Sequence, residues 1–102
     1  MSDKPNTKII GIDDIDTIIN GTLQELASIK NPNQIGKVIN LDDNNSVLSE
    51  ITPLIMIVNQ GCKDYKSRLE ILEKNGGDLD MEVNYYNKNI SARALAIKYR
   101  NY

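Results

Sequence analysis

The sequence predicts a mainly α-helical fold, a small helical bundle in which a long kinked helix forms an antiparallel hairpin with the helix after it. Three observations carry this reading. Leu48, Ile51, Ile55, Val58, Cys62, Tyr65, Leu69 and Leu72 recur at 3-4-3-4-3-4-3 spacing, the heptad signature of a coiled-coil seam. A second amphipathic stretch, Leu79, Val83, Tyr86, Ile90, Ala94 and Ile97, follows the turn residues Asn75, Gly76 and Gly77, and a short glycine turn between two such stretches suits a helical hairpin. A third set, Ile12, Ile15, Ile19, Leu26 and Ile29, lies on one helical face ahead of both. With 102 residues, 40% hydrophobic and 25% charged, the chain is sized and composed as one domain. Residues 1–10 are expected as a flexible arm and residues 11–102 as a single small helical domain.

The first helix is predicted over residues 13–30, with Thr22 filling the missing apolar beat. Asp13, Asp14 and Asp16 crowd its start and Lys30 its end, which opposes the helix dipole at both termini. Pro32 stops it, because proline disfavours a helical residue before it. Residues 31–45 form a polar connection around a β-like piece, Lys37, Val38, Ile39, Asn40 and Leu41.

The long helix is predicted over residues 46–75 and kinked, since Pro53 and Gly61 fall inside it. Pro53 is comfortable only if Thr52 is an N-cap and Pro53 the first helical residue. A buried strand at 54–58 competes, with three β-branched residues in five, but the heptad phase runs unbroken across both disturbances and favours helix. Gly76 or Gly77 supplies a left-handed C-cap. A C-terminal helix follows from about 79 to 100, with Asp78 as cap, Asp80 and Glu82 in its first turn, and Lys98 and Arg100 at its end.

One internal echo stands out. Lys8, Ile9, Ile10, Gly11, Ile12, Asp13 and Asp14 resemble Lys37, Val38, Ile39, Asn40, Leu41, Asp42 and Asp43. A chain rich in Ile, Lys and Asp produces such a recurrence by chance. Taken structurally, it is two short strands of a βαβ unit, each leading into a capped helix. The alternative architecture is therefore α/β, with short strands near 8–12, 37–41, 54–58 and 79–85.

Composition excludes several chemistries. The chain has no histidine and one cysteine, so a histidine-based triad, a His or multi-Cys zinc site, a redox dithiol and an intramolecular disulfide are ruled out. Cys62 falls on the apolar seam and reads as a packed structural residue rather than a nucleophile. The acidic pairs Asp13, Asp14 and Asp42, Asp43 sit where helix caps are expected, so capping explains them better than a metal site. Neither glycine-rich phosphate-binding pattern occurs. No enzymatic activity, catalytic residue, metal or cofactor is expected.

The longest apolar run, Leu54 to Val58, is far too short to cross a membrane, and the polar N-terminus is unlike a signal peptide. A cytoplasmic protein with no membrane partner is expected. Asn, Ile and Lys number 13, 15 and 9 against 3 Arg; their A/T-rich codons suit a phage or mobile-element accessory protein.

The most function-like feature is charge segregation. Residues 83–102 hold four bases, no acid and four of the five tyrosines, whereas the whole chain carries a net charge of −2. Tyrosine and arginine are enriched in protein hot spots and on base-stacking surfaces. Tyr85, Lys88, Arg93, Lys98, Tyr99, Arg100 and Tyr102 are thus candidates for binding a partner protein or nucleic acid. Ile51, Leu54, Ile55, Ile57 and Val58 surround the long helix on most sides; they are candidates for self-association into a homo-oligomer, since so small a domain hides only part of such a surface. The function expected is non-enzymatic binding or assembly through protein–protein contacts and self-association. The alternative is nucleic-acid binding through the basic, tyrosine-rich segment 83–102.

Overall fold

The computed structural model describes residues 6–60 and 64–102. In it the two echo segments lie side by side. Strand β1 (Thr7–Ile10) pairs antiparallel with β2 (Gly36–Asn40), Lys8 opposite Ile39 and Ile9 opposite Val38. The pairing is antiparallel, so a parallel βαβ unit is excluded, and residues 7–10 belong to a sheet rather than to an arm.

The helix expected over 13–30 is two short helices, α1 (Ile15–Asn20) and α2 (Leu23–Leu26). Thr22 does not fill a helical beat. It starts a new helix, its Oγ1 accepting from the Glu25 amide at 3.1 Å while its own amide donates to Glu25 Oε1 at 2.8 Å, the reciprocal capping box written as Thr-x-x-Glu. Asp14 occupies the α1 N-cap position in left-handed backbone with no side-chain capping bond.

Strand β2 turns back into β3 (Ser46–Ile51) through residues 41–45, where Asn44 and Asn45 both adopt positive φ. Here the Asp42 amide donates to Asn40 Oδ1 and Ser46 Oγ to Asp43 Oδ2. Asp42 and Asp43 are therefore turn residues, not helix caps. The hairpin completes a three-stranded sheet, order β1-β2-β3, with its register broken between Val38 and Ile39.

The predicted long helix is consequently a strand and two helices. After β3, Thr52 caps and Pro53 opens α3 (Pro53–Gln60), with the Ile55 amide donating to Thr52 Oγ1 at 3.2 Å. Residues 54–58 are thus helical, and the strand alternative fails there. Helix α4 (Tyr65–Lys74) follows; Cys62, and with it the expectation of a packed thiol, lies outside the described residues. Gly76 takes φ +98°, and the amides of Gly76 and Gly77 donate to the carbonyls of Glu73 and Leu72, the double bond pattern of a Schellman C-cap.

The C-terminal helix expected over 79–100 begins only at residue 92. Asp78 makes a turn, its Oδ1 accepting from the Asp80 amide. Strands β4 (Glu82–Tyr85) and β5 (Lys88–Ser91) then form a hairpin whose two-residue loop, Tyr86 and Asn87, has positive φ at both positions, the type I′ turn that suits the strand twist. Ser91 caps α5 (Ala92–Arg100) by accepting from the Ala94 amide at 3.1 Å.

The chain is therefore a mixed α/β structure, 39% helical and 24% strand, with five strands in two antiparallel sheets and five helices among the described residues. It is neither a helical bundle nor a coiled coil. Of the alternative strands, those near 8–12, 37–41 and 79–85 correspond to β1, β2 and β4. The two sheets meet where β3 side chains take hairpin amides: Asn84 N donates to Glu50 Oε1 at 2.7 Å and Tyr86 N to Ser49 Oγ at 3.2 Å. Helix α3 forms the centre of one continuous core, packed by α1, α4 and α5.

Candidate binding pocket

The C-terminal end of α3, the end of β4 and one face of α5 converge on a concave pocket of about 370 Å³, lined by Val58, Asn59, Tyr85, Leu95, Tyr99 and Arg100. Leu95 and Tyr99 are four residues apart and so share a helical face. Val58 and Leu95 are buried at its floor, while Tyr99 is 63% exposed and forms a wall. Tyr85 is half-buried at the other side, with its hydroxyl donating to Asn59 Oδ1 at 3.2 Å. Tyr86 meets Tyr85 edge-on, centroids 4.8 Å apart at 89°, a favoured aromatic geometry.

Arg100 fixes this arrangement. Its Nε donates to the Val58 carbonyl at 3.1 Å and its Nη2 to the Asn59 carbonyl at 3.4 Å. The final carbonyls of a helix lack internal partners and carry its negative dipole end, so a guanidinium belongs there. The Arg100 carbonyl in turn accepts from Tyr65 Oη at 2.8 Å. Burial raises the Tyr85 phenol above its usual 10.0, and the neighbouring phenols Tyr86 and Tyr99 push it further the same way. The hydroxyl is therefore protonated at neutral pH and remains a donor. An apolar floor, two aromatic walls, an amide and one guanidinium suit an apolar or aromatic group flanked by polar atoms.

The structure brings Tyr85, Tyr99 and Arg100 together from the seven sequence candidates. Lys98 adjoins them, its Nζ 5.3 Å from the Tyr99 ring centroid, within cation–π range. Lys88 is the cross-strand partner of Tyr85, and directly opposed residues share a hairpin face. Arg93 and Tyr102 do not line the pocket. Arg93 Nε donates to Asp80 Oδ1 at 2.8 Å and its Nη2 lies 3.7 Å from Glu73 Oε2; the Asp80 hydrogen bond and charge raise its pKa above an already high value. Tyr102 tilts against Tyr65, ring centroids 6.3 Å apart.

The five self-association candidates, Ile51, Leu54, Ile55, Ile57 and Val58, are each no more than 3% exposed within a single chain. The surplus apolar girth that called for a second copy is covered by α1, α4 and α5. Neither Asn59 nor Leu95 is among the sequence candidates, and Leu95 lies outside the helical phase expected from Leu79 to Ile97. The i,i+4 spacing of Leu95 and Tyr99 was the available signal. Among the described residues, no group of three or more Cys, Asp or Glu is placed to hold a metal ion, and no helix is long and apolar enough to cross a membrane. Comparison with protein-family models, characterised proteins and solved structures gives no match.

Proposed function

We propose that this is a non-enzymatic binding protein that holds a partner protein by seating one apolar or aromatic side chain between Tyr85 and Tyr99. The observation that supports this reading is the pocket itself, with buried Val58 and Leu95 beneath exposed Tyr99. Hot-spot side chains dock in desolvated pockets of this kind, and tyrosine walls lose little rotamer entropy on contact. A nucleic-acid platform is less well supported. The chain carries a net −2, and Arg93, one of four bases in the C-terminal stretch, is already paired with Asp80 and Glu73. Phosphate tracking needs cations free to displace counterions.

Capped amino-acid amides test the reading directly. In a chemical-shift titration, N-acetyl-leucine amide and N-acetyl-tryptophan amide are expected to shift Val58, Leu95 and Tyr99 in a saturable way, with N-acetyl-alanine amide inert. Tyr99→Ala should abolish the response. Shifts scattered elsewhere, or equal for all three compounds, would overturn the pocket as the binding site.

A further inference from the structure

We infer that the partner segment is acidic: a peptide whose apolar or aromatic anchor is flanked by aspartate or glutamate. This rests on the pocket reading above and adds the chemistry of the ligand around the anchor. Among the described residues, the pocket lining contains one charged side chain, the cation Arg100, and no carboxylate. Two further cations neighbour lining residues. Lys98 lies against the Tyr99 ring, and Lys88 emerges opposite Tyr85 across the hairpin. The fourth base of the segment, Arg93, is held apart by Asp80 and Glu73, which leaves Arg100, Lys88 and Lys98 as the bases in or next to the lining.

Arg100 is fixed by the α3 carbonyls through Nε and Nη2, which keeps its charge at the pocket instead of free in solvent. A carboxylate beside the anchor would meet preorganised charge there, and Lys88 and Lys98 would steer its approach. A partner with bases at these positions would face like charge, which excludes it. The concave apolar floor of Val58 and Leu95 favours a branched or aromatic side chain over a stacked nucleobase, which prefers an open flat face.

The test is a selection of random displayed peptides on the full chain, with Tyr99→Ala as counter-selection. The expected outcome is recovery of Tyr99-dependent peptides in which Leu, Phe or Trp is flanked by Asp or Glu. Their affinity should fall as salt rises. It should fall at least about tenfold in Lys88→Glu/Lys98→Glu and stay unchanged in Arg93→Gln. Tyr99-dependent peptides without acidic enrichment would overturn this inference and leave the pocket reading standing. Recovery of no Tyr99-dependent peptide would overturn both. Oligothymidylate binding tighter than any selected peptide would transfer the site to nucleic acid, and Tyr99-dependent dimerisation without peptide would transfer it to a second copy; either result overturns the inference.

Discussion

Arg68 Nη2 lies 2.6 Å from the carbonyl oxygen of Gly21, 47 positions away in the chain. The same guanidinium donates through Nη1 to the Ile18 carbonyl at 3.1 Å and through Nε to Asp64 Oδ1 at 2.9 Å. Helix α1 ends at Asn20, and its last carbonyls have no partner within the helix. A side chain from α4 closes that end, as Arg100 from α5 closes α3. Both arginines act as helix caps supplied from another element.

Arg68→Ala should therefore destabilise the protein strongly. Arg68 is only 8% exposed, so the substitution strands two carbonyls and opens a void. The expected loss is about 2–4 kcal/mol in urea denaturation. Arg68→Lys should recover little of it, because an ammonium cannot reproduce the planar fork.

Gly21→Ala tests the α1–α2 corner. The glycine is in extended backbone that any residue adopts, so the constraint is space. A Cβ there would lie 2.4 Å from the Thr17 carbonyl oxygen, and backbone cannot rotate aside. A loss of about 1–3 kcal/mol is expected. Trimming the side chain in Thr17→Ala/Gly21→Ala should not restore the midpoint.

Stability and binding should separate between core and pocket. Ile55 and Leu69 are fully buried, and replacing either by Ala should cost about 2–5 kcal/mol. Tyr99→Ala, at an exposed position, should stay within about 0.5 kcal/mol in denaturation while losing the capped-leucine response. A Tyr99→Ala variant that unfolds with the core variants would make Tyr99 a structural residue.

Half of the pocket's described lining stands out in the sequence, and Val58, Asn59 and Leu95 do not. Tyr85, Tyr99 and Arg100 were marked by charge and tyrosine segregation, a signal that survives any change of secondary structure. The architecture turned on coincidences of spacing. Leu48 and Ile51 continue the helical phase of Ile55 and Val58, yet they belong to β3, because Asn44 and Asn45 close a hairpin immediately before it. Tyr86 and Ile97 fitted the assumed C-terminal helical face, yet both are exposed while Leu95 and Ala96 are buried. A phase begun at Leu79 cannot extend through a β-hairpin, so the true α5 face was missed. The local chemistry that decided these points was present in the chain: Thr22 with Glu25, Thr52 with Pro53, and the alternation from Leu79 to Tyr85. Each is a short-range preference that a long periodic pattern hides when apolar residues are frequent.

The junction between the two sheets should open before either sheet does. It contains the Asn84 amide on Glu50 Oε1 and the Tyr86 amide on Ser49 Oγ. Side-chain acceptors take the place of a backbone ladder there. In Ser49→Ala/Glu50→Ala, the Asn84 and Tyr86 amides should exchange with deuterium faster while the β2–β3 amides keep their protection. Uniform acceleration across both sheets would show that the hairpin and the three-stranded sheet open as one unit.

Tyr85 should give stability a dependence on alkaline pH. Its phenol is raised in the folded chain, first by burial and then by Tyr86 and Tyr99, from a reference of 10.0. The unfolded chain therefore loses this proton at lower pH than the folded chain. Between those two values the folded state binds more protons, so stability falls as pH rises. Below the unfolded value both states are protonated and the contribution is constant. Lysines titrate in the same range, so the informative quantity is the difference between the parent and Tyr85→Phe. Tyr85→Phe cannot ionise, and it also loses the hydroxyl bond to Asn59. At neutral pH the variant should be slightly less stable than the parent, and above pH about 10 the gap should close as the parent weakens. Urea midpoints measured across that range provide the check. A gap that stays constant with pH would mean that the Tyr85 phenol ionises equally easily in both states, and that burial at the pocket wall does not hold it protonated.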